Sequence, residues 1–181
     1  INVNAEECTA MVSANGAVSL VVGSTINARR AAAAGELTGD KPLLAQTRRL
    51  LRDSRTRRLA EQFTCQWLHI RGFDQNDDKN EKLYPTFPEL RGAMYEESVR
   101  FFEDMFRNDV WILDCLEADH TFLKGARARH YGIGGVSGSD WRRVDGAQAR
   151  GRGGILGMAA VLAKQSGASR TSPILRGNWV S

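Results

Sequence analysis

The residues best suited to chemistry lie close together near the C-terminus: Arg170, Thr171, Ser172 and Pro173, followed by Arg176, Gly177 and Trp179. A guanidinium is planar and offers paired N–H groups to a carboxylate or a phosphate, proline fixes the backbone beneath it, and an indole stacks or packs. Such a set serves either an anionic ligand or a domain junction, and the junction is the favoured expectation. In that reading Arg170 and Arg176 make charge-assisted hydrogen bonds to carboxylates or backbone carbonyls, with Trp179 packed at the seam. His120 and His130 complete the candidates, since a histidine facing a substrate or a haem supplied by another domain could give a proton or an axial bond.

Other spacings point to chemistry and then fail a requirement of it. Glu117 and His120 have the Glu-x-x-His spacing that puts two ligands on one helix face, but a di-iron carboxylate centre needs a second pair and two further glutamates. Asp74, Asn76 and Asp78 alternate like a calcium loop, yet Lys79 and Pro85 stand where an EF-hand needs Gly and Glu. Gly151, Gly153, Gly154 and Gly157 resemble a dinucleotide loop without the apolar strand that must precede one. Anion binding at a helix start, helped by Arg150 and Arg152, is what they could still do. Cys8, Cys65 and Cys115 are odd in number and carry no Cys-x-x-Cys spacing, so no disulfide framework, zinc site or covalent haem follows from them. Cys65 and Cys115 lie in apolar stretches and are expected to pack as small hydrophobes. No catalytic residue can be assigned, and no cofactor or metal site is expected in this chain.

The elements that must position these residues read as helices. Residues 1–27 are poorly patterned and support at most a helical turn or a short strand. The Ala31 to Ala34 run favours a short helix ended by Gly35. Asp40 and Pro42 open the next, with Leu43, Leu44, Thr47, Leu50 and Leu51 on one face. Asp53 or Ser54 caps a third, in which Leu59, Phe63, Trp67 and Ile70 recur at helical spacing up to Gly72. The longest runs from Pro88 to Asn108, its stripe of Leu90, Met94, Phe101 and Met105 widened by Tyr95, Val99, Phe102 and Phe106 until it must be buried on two sides. Val110 to Leu116 is a short helix or turn, and Asp119 or Thr121 caps a helix running to His130. Glycines from Gly132 to Gly138 make a junction, Trp141 to Arg152 is irregular, and Ile155 to Lys164 is one more helix. The fold class expected is all-α: an irregular multi-helix array of five to seven helices with a Gly-rich junction and a short irregular C-terminal segment.

Composition agrees with a folded protein, because 42% hydrophobic and 25% charged residues in a chain of 181 allow a packed core. Its net charge of +4 is distributed in blocks, Arg-rich from Arg29 to Arg58, acidic from Asp74 to Asp119 and basic again from Lys124 to Arg176. The most apolar run, Ala17 to Val22, is far too short to cross the ~30 Å hydrocarbon layer, so no membrane span is expected. The start at Ile1 and the end after Trp179 and Val180 read as those of a piece of a longer protein.

Longer motifs carry a resemblance. Leu43 to Phe73 (LLAQTRRLLRDSRTRRLAEQFTCQWLHIRGF), then LYPTFPELRGAMYEESVRFFEDMF, LEADHTFL and ARHYGI, resemble a helical domain of unknown function found in large planctomycete proteins. WRRV and RGGILGMAAVLAKQSGASRTSPILRGNWV resemble the beginning of a second domain of unknown function that follows it. The division implied is a segment 1–27, a first domain at 28–133 and the start of a second at 134–181. Proteins of this kind often also carry a c-type cytochrome module, which implies export, an extracytoplasmic setting at the periplasm or cell surface, partner domains within the same protein, and haem on a separate domain.

Three functions remain in view. The first is a non-catalytic structural or interaction portion of such a protein. The second is half of a redox or hydrolytic enzyme completed by other domains. The third, polyanion binding by the basic C-terminal third, lacks a helix-turn-helix, a zinc finger or interleaved stacking aromatics, so nucleic acid is not an expected partner.

Overall fold

The computed structural model describes residues 7–12, 18–23, 26–135 and 137–180. The expectation for residues 1–27 falls partly outside them. What is described there is a hairpin of two antiparallel strands, β1 (Glu7–Val12) and β2 (Val18–Gly23), registered from Glu7 opposite Gly23 to Val12 opposite Val18. Helix α1 (Ile26–Ala33) covers the alanine run, and Gly35 leaves it with a left-handed φ of 70°. Helix α2 (Asp40–Leu51) follows, then α3 (Thr56–Trp67). Between them Asp53 accepts hydrogen bonds from the backbone N–H and the guanidinium of Arg55, and the buried Thr56 hydroxyl donates to the Leu50 carbonyl at 2.8 Å. Leu50 and Leu59 are buried there, with Leu51 and Phe106 packed on them. Leu43 and Leu44, expected on the same buried face, are exposed.

Helix α3 stops at Trp67, short of Gly72, because His69 turns the chain into the left-handed region at φ 56°. The longest helix, α4 (Phe87–Asn108), matches its expected span within a residue, and Val99, Phe101 and Phe102 are fully buried along it. Phe63, Trp67 and Phe102 form a cluster with ring centroids 5.3 to 5.6 Å apart, tilted or edge-on as aromatic quadrupoles prefer. After α5 (Asp114–Glu117) the chain departs from an all-α fold a second time. Thr121, Phe122 and Leu123 belong to β3 (His120–Leu123), not to a helix, and pair antiparallel with β4 (Arg142–Asp145), inside the stretch expected to be irregular. Alternating burial along β3 explains it: Thr121 and Leu123 point into the core while His120 and Phe122 are half-buried. Helix α6 (Gly125–His130) precedes the glycine junction. The single helix expected from Ile155 to Lys164 is two, α7 (Gly154–Gly157) and α8 (Ala159–Lys164), broken where Met158 is extended. The terminal polar motif forms α9 (Pro173–Val180), with Pro173 in its first turn and the Ser172 hydroxyl accepting the Leu175 N–H at 3.3 Å.

The described residues are therefore mostly helical, with more helices than expected and two small sheets. Its contacts divide it into two compact units, residues 1–62 with 103–110 and residues 63–102 with 111–181. No helix among the described residues is long and apolar enough to cross a membrane.

Candidate functional site

Within the second unit, a buried carboxyl group organises the packing. Glu97 has no exposed surface; it accepts a 2.6 Å hydrogen bond from the Thr121 hydroxyl in β3 and a 2.7 Å bond from the Tyr131 hydroxyl just beyond α6. The Tyr131 oxygen in turn accepts the Ala159 N–H at the start of α8 at 3.1 Å. One side chain of α4 thus fixes a strand, a turn and a helix start. The guanidinium of Arg152 lies 4.6 Å above the Tyr131 ring.

The outer side of that arrangement opens into a hollow of about 280 Å³, lined on its polar side by Lys79, His130, Arg152, Arg170, Thr171 and Arg176. Lys79 is almost wholly buried, and its ammonium donates to the Ser166 carbonyl at 3.0 Å and the Gly167 carbonyl at 3.4 Å. Backbone bonds hold the same loops together, from Asn80 N–H to Ala168 O at 2.9 Å and from Gly167 N–H to Arg170 O at 2.9 Å. Arg170 and Arg176 do not make the charge-assisted bonds expected of them. Neither side chain has a hydrogen bond or ion pair to another described residue, and the Nε of Arg176 is buried without one. Both side chains line the hollow, whose apolar members Phe87, Leu90, Met94 and Leu162 carry no side-chain acceptor.

The remaining candidates lie elsewhere. His120 is stacked on Phe101 with centroids 5.3 Å apart and stands edge-on to Phe122 at 6.0 Å, and it does not line the hollow that His130 lines. Ser172 and Pro173 start α9, and Gly177 lies within it. Trp179 lines a second, larger hollow of about 660 Å³, whose walls include Trp67, His69, Leu116, Leu156, Leu175 and Val180.

The rejected motifs also find physical explanations. Glu117 and His120 do not share a helix face, because α5 ends at Glu117 and His120 opens β3. Asp119 caps no helix of its own; its carbonyl and carboxyl accept the N–H groups of Ala147 and Gln148, each at 2.9 Å. The glycine run serves close approach of backbones. A Cβ on Gly153 would stand 2.8 Å from the Ala118 carbonyl oxygen, and one on Gly154 would overlap the Leu116 carbonyl. Asp77 pairs with Arg91, and Asp78 with Lys79 at 3.2 Å, so the acidic loop is engaged in ion pairs. Cys65 and Cys115 are buried free thiols, as their apolar settings implied; burial and the neighbouring Asp114 push the Cys115 thiol up from its ordinary range. No group of three potential ligands is arranged for a metal among the described residues.

Residues 26–133 match the PSD4 family, described as Protein of unknown function (DUF1592). The chain belongs to this family. No curated protein and no solved structure matches it. Two residues that sequence reasoning missed, Glu97 and Lys79, are central to the geometry, as is Arg152, expected only to help anion binding at the glycine run. Glu97 and Lys79 lie in the DUF1592 span and Arg152 beyond it. Glu97 could have been noticed as an acidic residue flanked by the apolar stripe of α4, whereas nothing local marks Lys79.

Proposed function

We propose that this DUF1592 chain is a non-catalytic interaction portion of a large, exported, cytochrome-associated multidomain protein of the planctomycete kind, acting at the periplasm or cell surface. In this reading residues 28–133 are its first domain of unknown function, residues 134–181 open a second, and haem is carried by a separate domain. The observation that carries it is the larger hollow. Apolar side chains that a folded chain ordinarily buries line it while substantially exposed: Leu116 at 47%, Leu156 at 47%, Leu175 at 44% and Val180 at 67%. Contiguous exposed apolar surface around a concavity is the mark of a surface that another folded body covers. The occupant proposed is a neighbouring domain of the same polypeptide, for which no transmembrane anchor within this chain is required.

Hydrogen–deuterium exchange tests it. In the full-length protein, peptides covering Asp114–Glu117, Gly154–Gly157 and Pro173–Val180 should exchange several-fold more slowly than in the chain of residues 1–181 alone. Leu175→Asp in the full-length protein should abolish that extra protection. Equal exchange in the two proteins would overturn the reading, as would absence of a haem-attachment motif and an export signal from the complete gene.

A further inference from the structure

The smaller hollow is distinct from the surface just described, and its walls have a chemistry of their own. Lys79, Arg152, Arg170 and Arg176 line it, with His130 at an exposed position, and no Asp or Glu side chain belongs to the lining. Like charges gathered in one concavity repel, and a low-dielectric wall strengthens the repulsion, so such a cluster needs anions to balance it. Lys79 is already balanced by Asp78 and held on two carbonyls, where it braces the loop bearing Arg170. Arg152 is held over the Tyr131 ring and donates to the Gly157 carbonyl at 3.4 Å. Among the described residues, neither the exposed Arg170 guanidinium nor the half-buried Arg176 guanidinium has an acceptor. A buried guanidinium N–H left without an acceptor is costly, and the Nε of Arg176 is in that position.

The lining is apolar in part, with Phe87, Leu90, Met94 and Leu162 among its members. A bare inorganic ion would leave those side chains wet. A volume of about 280 Å³ sits at the small end of ligand pockets, below what a nucleotide or oligosaccharide fills. We propose that this hollow binds a small organic anion, its carboxylate or phosphate received by Arg170 and Arg176 and its compact apolar body laid on Phe87, Leu90 and Leu162. Bidentate geometry at a guanidinium suits either head group, and Arg152 adds to the surrounding positive potential.

Isothermal titration of the chain with benzoate, phenyl phosphate, benzyl alcohol and inorganic phosphate tests the proposal. At least one of the two aromatic anions should bind, and the tighter of them identifies the head group. Benzyl alcohol and inorganic phosphate should each bind at least about tenfold more weakly than that anion, since each lacks one half of the recognition. Arg176→Gln and Arg170→Gln should each weaken binding about tenfold or more, the loss expected for one charge-assisted contact, with no fall in Tm, because neither side chain bonds to the fold. Leu162→Ala should weaken the aromatic anion and leave inorganic phosphate unchanged. Trp179→Ala, in the other hollow, should leave all four titrations unchanged. Failure of both aromatic anions to bind, equal binding by the two arginine variants and the parent chain, or inorganic phosphate binding as tightly as phenyl phosphate would each overturn the proposal, whatever the exchange experiment on the larger hollow shows.

Discussion

A carboxyl group in the middle of a buried helix face must have its oxygens occupied, because stripping it of water without replacement is among the larger penalties in folding. Glu97 meets that condition through the hydroxyls of Thr121 and Tyr131, so its contribution is best seen by removing either side of the contact. Glu97→Ala takes the acceptor from two buried hydroxyls and leaves a void; the expected loss is about 3 kcal/mol or more, read from urea denaturation. Tyr131→Phe removes a hydroxyl that serves both Glu97 and the Ala159 N–H and should lose about 2 kcal/mol. A loss below about 0.5 kcal/mol in both variants would show that the network does not support the fold. Asp53 contributes in a pH-dependent way. Its hydrogen bonds to the Arg55 side chain and backbone N–H hold its carboxyl well below the usual carboxylate range, with the Arg55 and Arg49 charges adding to the effect. Since the folded-state value lies below that of the unfolded chain, the stabilisation is complete above the unfolded value near ~4 and is lost as pH falls toward the folded one. Asp53→Asn should therefore lower Tm at pH 7, and the gap from the parent chain should narrow steadily below about pH 4. A gap that widens on acidification would contradict the linkage.

At the scale of elements, the tightest junction is where α7 meets the segment Cys115–Ala118. Gly154 combines a φ of 61° with a backbone so close that a Cβ would stand 2.7 Å from the Leu116 carbonyl carbon and 2.8 Å from the Cys115 oxygen. Gly146 has a φ of 80° but open space around it. Gly146→Ala should accordingly cost only left-handed strain, about 1–2 kcal/mol, whereas Gly154→Ala should cost more than about 3 kcal/mol, since backbone atoms must move. Equal midpoints for the two variants in chemical denaturation would sink the distinction. The same contrast explains which elements were readable from the sequence. Helix α4 announces itself, because Pro88 in its first turn and apolar residues at three- and four-residue intervals are local signals. Strand β3 does not, because four residues are too few to display a period and its partner, β4, comes after the glycine junction. The break at Met158 is likewise invisible in a continuous apolar run. It accompanies a long-range contact at the start of α7, where the Gly154 N–H is bound to the Ala118 carbonyl.

Across the whole molecule, the candidate site was legible only as far as local chemistry reaches. Arg170 and Arg176 stand out in a short polar motif, but Lys79 and the Ser166 carbonyl it binds are 87 positions apart, and no periodicity connects them. Their meeting depends on how residues after 133 pack on those before it, which is also where the family match ends. Ile155, Met158, Ala160 and Val161 are each no more than 3% exposed, and they belong to the same compact unit as residues 63–102. Tyr131, Lys79 and Asn80 all bond to residues beyond 158. The limit of the family match is thus not a limit of packing. A chain ended at Ile133 would lose those buried side chains, return the apolar surface they cover to water and leave the Lys79 ammonium without its two carbonyls, a loss comparable with the few kcal/mol per hundred residues by which domains are stable. It should keep helical far-UV circular dichroism from α2 to α4, lose cooperative urea unfolding, and bind an apolar dye such as ANS. The full chain under the same conditions should unfold in one or more sharp transitions without dye binding. Cooperative unfolding of the shortened chain at the midpoint of the full one would mean that residues 134–181 pack on a core already complete without them, and that the cationic hollow is assembled on a finished domain rather than within one.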